Sequence, residues 1–189
     1  MPLHLSFAFE EIRYSVFFEK SVSEIIKTNN KTERRFPMPS RKVKEFLESR
    51  QVKYVNITHS PAYTAQQVAE SAHIHGKEMA KTVIVLIEGK MAMAVLPANY
   101  SIDFDYFRKT TGAKRIELAS EAQFKDMFPD CAVGAMPPFG NLYAMEVYVD
   151  EHLTKDKEIA FNAGNHYELF RMAYQDYADL VKPKVVKFT

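Results

Sequence analysis

Two apolar runs, Thr82-Val-Ile-Val-Leu-Ile87 and Met91-Ala-Met-Ala-Val-Leu96, flank the polar break Glu88-Gly-Lys90. A break that short with a central glycine makes a tight turn, so the pair predicts a β-hairpin in the middle of a sheet. Upstream, Val43, Phe46 and Leu47 fall at helical spacing behind Ser40, which predicts a helix over 41–50 with Ser40 as N-cap. Residues 52–57 alternate at period two and predict a strand, ended by His59-Ser-Pro61. Thr64 with Gln67 three residues on is a capping box, opening a helix through Val68, Ala69 and Ala72 that ends near Gly76. Asp103 caps a helix through Phe104, Phe107 and Arg108 that stops at Gly112. A short strand is expected over 115–118, then a helix capped by Ser120 and Gln123 that runs through Phe124 and Met127 to Pro129. Strands are expected over 142–149 and 158–161, a turn over 163–166, and a helix over 174–181 ended by Pro183. Residues 167–172 fit strand or helix by pattern alone.

Strands and helices interleave irregularly around at least one hairpin, which argues against a regular βαβ winding. The expected class is α+β (mixed α/β): a curved, partly closed mixed sheet with surrounding helices. A chain of 189 residues with 47% hydrophobic content supports one core. Residues 1–37 read differently, ending in the polar run Thr28-Asn-Asn-Lys-Thr-Glu-Arg-Arg35, and are expected to be an N-terminal extension before a domain over 38–189.

Charge narrows the partners. A formal net charge of +1 excludes the global field of an avid nucleic-acid binder, so any RNA contact is local and DNA is not an expected partner. Arg41, Lys42, Lys44, Arg108 and Lys109 are candidates for such contacts or ordinary solvated helix faces. The single Cys131 excludes an internal disulfide, no run approaches the roughly 20 apolar residues of a membrane span, and the expected location is the cytoplasm.

The richest candidate chemistry lies in Cys131-Ala-Val-Gly-Ala-Met-Pro-Pro-Phe-Gly-Asn141. Its prolines and glycines forbid a helix or central strand, so it is either a proline-stiffened packed connection or the rigid wall of a small-ligand pocket. Lys81, opening an apolar strand, is either a snorkelling surface residue or a partly desolvated ammonium that holds a phosphate or a developing oxyanion. Lys77, one helical turn earlier, adds a second positive charge. His166 follows Gly164 and Asn165 in a turn, and His59 precedes Pro61; each is a structural or a ligand-facing histidine. His73 and His75 are rejected as metal ligands because their spacing parts them on a helix and no acidic or cysteine cluster completes a shell. Cys131 lacks a paired base and reads as a small hydrophobe. No phosphate-binding glycine motif is present, and no cofactor is called for.

Three pieces also resemble a known family. Gly134-Ala-Met-Pro-Pro138, Ala80-Lys81-Thr82 and Phe161-Asn-Ala-Gly-Asn-His166 occur in the order found in YbaK-type aminoacyl-tRNA deacylases, which share the prolyl-tRNA synthetase-associated editing-domain fold. The resemblance spans about Met38 to Pro183. It implies strand for 167–172 and a free-standing, metal-independent enzyme that cleaves the ester of a mischarged tRNA at its 3′ acceptor end. The tRNA it implies is tRNA-Pro carrying Ala, Cys or another small residue, with an aminoacyl-tRNA synthetase as a further candidate partner. It implies catalytic roles for Lys81 and the Gly134 backbone N–H, with water activated by the substrate's own ribose hydroxyl. Substrate-binding positions are then His59, Lys77, Met136, Pro137, Pro138, Gly164, Asn165 and His166. The alternative is a non-catalytic module of the same fold that binds an amino acid or aminoacyl-tRNA.

Overall fold

The computed structural model describes residues 40–189; the expected extension over 1–37 lies outside the described residues. Eight strands form one mixed sheet: β1 (Tyr54–Thr58), β2 (Met79–Ile87), β3 (Lys90–Pro97), β4 (Ile116–Leu118), β5 (Glu146–Asp150), β6 (Glu158–Asn162), β7 (Glu168–Ala173) and β8 (Lys184–Val186). Their order is β1-β7-β6-β2-β3-β5-β8, with β4 paired to β2. Among the described residues five helices accompany them: α1 (Arg41–Ser49), α2 (Ala65–Ser71), α3 (Phe104–Thr111), α4 (Glu121–Phe124) and α5 (Tyr174–Val181).

The hairpin is the centre of the sheet, as its apolar runs require. β2 and β3 pair antiparallel from Ala80↔Pro97 to Ile87↔Lys90, and Gly89 takes φ +77 in the turn. The other edge of β2 is divided. Met79 and Ala80 pair in parallel with Ala160 and Phe161 of β6, whereas Val85 to Ile87 pair with β4. Between the two, over Lys81 to Ile84, this edge of β2 has no strand beside it among the described residues. The sheet therefore opens where β6 turns away.

Alternation along the strands sends side chains to two covered faces. One face carries Ile84, Val95, Val147, Phe161 and Phe170 against Val43 and Leu47 of α1 and Tyr177 of α5. The other packs Val85, Leu96 and Tyr148 against Phe107 of α3 and Phe188, while Met79, Ala160 and Leu169 meet Val68 and Ala69 of α2.

Local rules hold at most boundaries. The Thr64–Gln67 capping box forms, Asp103 accepts the Tyr106 N–H at 2.9 Å, and Gly112 ends α3 with φ +73. Five expectations need correction. α2 ends at Ser71 with Ala72 as its C-cap, short of the end expected near Gly76. Ser40 precedes α1, but its hydroxyl donates to Asp130 Oδ2 at 3.1 Å and makes no cap bond. The strand expected over 142–149 begins at Glu146, because Gly140–Tyr143 forms a 3-10 turn closed by Ala144 at φ +54. That turn is tight because a Cβ on Gly140 would lie 2.7 Å from Val147 Cγ2. The helix expected to reach Met127 is α4 followed by a 3-10 turn over Lys125–Met127. β8 was not foreseen, since three residues after Pro183 carry no period; it exists through its parallel pairing with β5.

Candidate active site

The end of the sheet where β6 leaves β2 gathers most of the expected residues. β6 stops at Asn162 and the chain turns through Gly164, Asn165 and His166 before β7. Gly164 has φ +98, and a Cβ there would stand 2.8 Å from both the N and Cβ of Ser40, so no larger residue fits. Its N–H donates to Ala135 O at 3.1 Å, and its carbonyl accepts from Ala132 N at 2.8 Å. Two peptide hydrogen bonds thus stitch the turn to the glycine-proline loop. Asn165 is buried and braces the turn: its Oδ1 accepts the N–H groups of Tyr167 and Glu168, both at 2.9 Å, and its Nδ2 donates to Glu168 Oε2 at 2.8 Å.

The stitching sets Gly134 against His166. Gly134 is exposed with φ +83, and a Cβ there would lie 3.8 Å from His166 Cε1. No acceptor among the described residues meets its N–H. The loop is held from behind. Met136, Pro137 and Pro138 are buried, and the buried Tyr177 hydroxyl donates to Pro138 O at 3.0 Å. These three expected substrate contacts therefore form the floor that keeps Gly134 in place.

His166 Nε2 lies 3.1 Å from Val133 O. A carbonyl only accepts, so Nε2 carries a proton toward it and Nδ1 is the ring nitrogen turned elsewhere. That Nδ1 is buried with no partner among the described residues. His59 repeats the arrangement: its Nδ1 meets Ser60 O at 2.7 Å, and its buried Nε2 is unpartnered. The two histidines are brought close by backbone bonds, His59 N to Tyr167 O at 2.9 Å and Ala62 N to His166 O at 3.2 Å. Thr82 Oγ1 and Asn162 Oδ1 are likewise buried without partners among the described residues. Buried polar atoms left open are expected to meet a ligand or water.

Tyr63 was missed by the sequence reading. It is 70% exposed and its ring lies 4.9 Å from that of His166, forming an aromatic lip. Its place immediately before the Thr64 cap was an available signal.

Lys81 stands one step beyond the Ala80↔Phe161 pair, in the gap on β2. Its side chain follows the Met79 and Val83 face, and its ammonium donates to Ala98 O at 3.1 Å and Tyr100 O at 2.5 Å. Burial pulls its pKa below the ordinary lysine value. Lys77 is exposed and lines a cavity with Tyr100. The structure thus joins Gly134, Gly164, Asn165, His166 and His59 in one network, and gathers Lys81 and Lys77 around Tyr100.

Other candidates have local duties. Arg41 pairs with Glu45, Lys44 with Glu48 and Arg108 with Asp105 on their own helices, as solvated faces do. Burial pushes the Cys131 thiol up, the opposite of what a nucleophile needs. Among the described residues no group of three or more His, Cys, Asp or Glu could hold a metal ion, and no helix is long and apolar enough to cross a membrane.

Comparison with known proteins places this geometry. The aminoacyl-tRNA editing domain family matches residues 59–180. The multifunctional Ser/Thr-tRNA deacylase ProXp-y of Escherichia coli (strain K12) is 28% identical over 137 residues, spanning 70% of this chain and 81% of the relative. A crystal structure of a candidate trans-editing enzyme for prolyl tRNA synthetase superposes with a TM-score of 0.67 at 21% identity, covering 79% of this chain and 96% of that one. A hypothetical protein of known structure superposes at 0.70 with 21% identity, covering 78% and 99%. The structural likenesses carry the fold, and the matched span holds His59, Lys81, Gly134 and His166; the chain belongs to the aminoacyl-tRNA editing domain family and is an aminoacyl-tRNA deacylase.

Proposed function

We propose that this deacylase is a free-standing trans-editing factor that removes serine or threonine from a mischarged tRNA, without a metal ion. The observation that carries the reading is the open Nδ1 of His166 beside Gly134, with the open Nε2 of His59 on the adjoining segment. A neutral imidazole nitrogen accepts a hydrogen bond, and a hydroxyl-bearing aminoacyl group supplies one. An analogue lacking that hydroxyl leaves the buried nitrogen unsatisfied, and sites of this kind discriminate far better than apolar sieves do. Support also comes from the relative whose name gives it Ser/Thr-tRNA as substrate.

In this mechanism the Gly134 N–H points at the ester carbonyl and stabilises the oxyanion, held by a loop already in position. Lys81 fixes the phosphate of the terminal nucleotide with the third donor of its ammonium, the other two being committed to Ala98 and Tyr100. The terminal ribose hydroxyl of the substrate orients a water that adds to the carbonyl carbon. The bond from that carbon to the ribose oxygen then breaks, and the oxygen takes up the proton lost by the water. Catalysis on this reading is mostly positioning.

The test is release of labelled amino acid from alanyl-, cysteinyl-, seryl- and threonyl-tRNA in EDTA, comparing wild type with Lys81→Ala and His166→Ala. Release from the seryl or threonyl member, reduced about 100-fold or more in Lys81→Ala, is expected. His166→Ala narrows the preference for the hydroxyl-bearing pair. Release that EDTA abolishes would overturn the metal-free mechanism. No release from any member by a folded protein would favour the binding-module alternative.

A further inference from the structure

A second feature stands beside the Tyr100 carbonyl that Lys81 grips. A cavity of about 290 Å³ is lined by Lys77, Pro97, Tyr100, His152, Lys155 and Asp156. That is at the small end of ligand pockets, with room for one nucleotide and none for a duplex. Its back wall is unusually well fixed. Asp150 is fully buried; its Oδ1 lies 2.7 Å from His152 Nδ1 and accepts the His152 N–H at 3.0 Å, while its Oδ2 accepts the Phe188 N–H at 3.0 Å. The His152 ring is stacked on Tyr100, centroids 4.8 Å apart and planes 19° from parallel. With Nδ1 turned to the buried carboxylate, Nε2 is the nitrogen left for a ligand. The Tyr100 carbonyl is the one that Lys81 grips, so the cavity and the candidate catalytic lysine share a wall.

The lining selects a chemical class. Lys77 and Lys155 are exposed cations able to contact a phosphodiester, and a stacked tyrosine–histidine pair offers a π surface to a base. Asp156 disfavours a bare inorganic anion but accepts from an exocyclic amino group, which cytosine and adenine carry and uracil lacks. Cations, an aromatic platform and a carboxylate acceptor in one small cavity fit a single-stranded nucleotide with an amino-bearing base.

We propose that this cavity is a subsite for a nucleotide of the tRNA 3′ end just upstream of the esterified ribose. The inference rests on the deacylase reading, since it takes its RNA from that substrate. Lys77 and Lys155 hold the phosphodiester, the Tyr100–His152 pair carries the base, and Asp156 reads its amino group. This would give a nearly neutral protein a local grip on RNA that needs no global field.

The experiment measures binding of fluorescein-labelled single-stranded RNA pentamers ending in CCA or in UUU to the full chain. Wild type is compared with Lys155→Ala, Asp156→Ala, His152→Ala and the control Lys125→Ala, an exposed lysine away from the cavity lining. Wild type is expected to bind the CCA pentamer about tenfold or more tightly over UUU. Lys155→Ala weakens both and flattens the logarithmic salt slope by about 0.7, the value for one lost phosphate contact on a single strand. Asp156→Ala erases the CCA preference. Equal binding by Lys155→Ala and Lys125→Ala, or equal wild-type affinity for the two pentamers, overturns the subsite. Seryl- and threonyl-tRNA hydrolysis run alongside separates the two readings. Hydrolysis with an unchanged KM in Lys155→Ala and no CCA preference defeats the subsite alone, whereas CCA-selective binding without hydrolysis defeats the serine/threonine substrate reading alone.

Discussion

Gly134 carries two demands that separate on substitution. An alanine there would meet His166 Cε1 at an ordinary 3.8 Å, so space is available, but φ +83 is strained for any side chain. The conformational cost is about 1–2 kcal/mol. Gly134→Ala is therefore expected to fold, with a melting temperature lowered by a few degrees, while its deacylation rate falls about 100-fold or more because the N–H is displaced from the ester. Paired calorimetry and single-turnover deacylation check this; a full-rate alanine variant would remove the backbone donor from the mechanism. Lys81 gives a pH signature. Burial lowers its pKa, so its ammonium is lost on alkalinisation before an ordinary lysine of pKa 10.5 would lose its own. The enzyme-dependent rate, corrected for spontaneous hydrolysis, is expected to fall through that window. The stability sign is opposite. The unfolded lysine holds its proton longer, so the cost of keeping Lys81 charged in the fold is relieved as pH rises through the same window.

The two loops and the strand ends that carry them explain what was legible and what was not. Caps, hairpin and helix stops follow from neighbours within four residues, and the reading of Thr64, Asp103, Gly89 and Gly112 held for that reason. Ser40 looked like a cap, yet its partner Asp130 is 90 residues away, beyond the reach of local pattern. The fixed His152 ring depends on a turn after β5 and on the Phe188 and Thr189 segment folding back, neither of which has a period to read. Gly164 and Pro138 were marked by composition, but their duties appear only in contact. Gly164→Ala drives a Cβ into the Ser40 backbone at 2.8 Å, and a loss of more than about 2 kcal/mol is expected, read as a lowered denaturant midpoint. Tyr177→Phe leaves the Pro138 carbonyl without its buried donor, at a cost of about 1–3 kcal/mol. Activity in that variant should fall more than in a core variant of equal stability, because the floor beneath Gly134 is loosened.

Across the whole sheet, protection should be graded by pairing. The β2–β3 hairpin has eight register pairs and is buried on both faces, while β8 is three residues long and largely exposed. Native-state hydrogen exchange is expected to be slowest in β2 and β3 and fast in β8, with the 163–166 turn intermediate. Fast exchange at the centre would contradict the arrangement of the core. Lys81 belongs to this hairpin and Tyr100 follows its end by three residues, whereas the glycine-proline loop lies outside it and is tied on by backbone hydrogen bonds.

The manner of that tie bears on how such a protein changes over generations. The seams between the two loops are peptide groups, Gly164 N to Ala135 O and Ala132 N to Gly164 O, and peptide groups are the same whatever side chain they carry. Val133 and Tyr63, exposed beside the seam, can be exchanged without unpicking it. On the proposed mechanism, side chains at the lip of the site can therefore change while the backbone donor at Gly134 keeps its place.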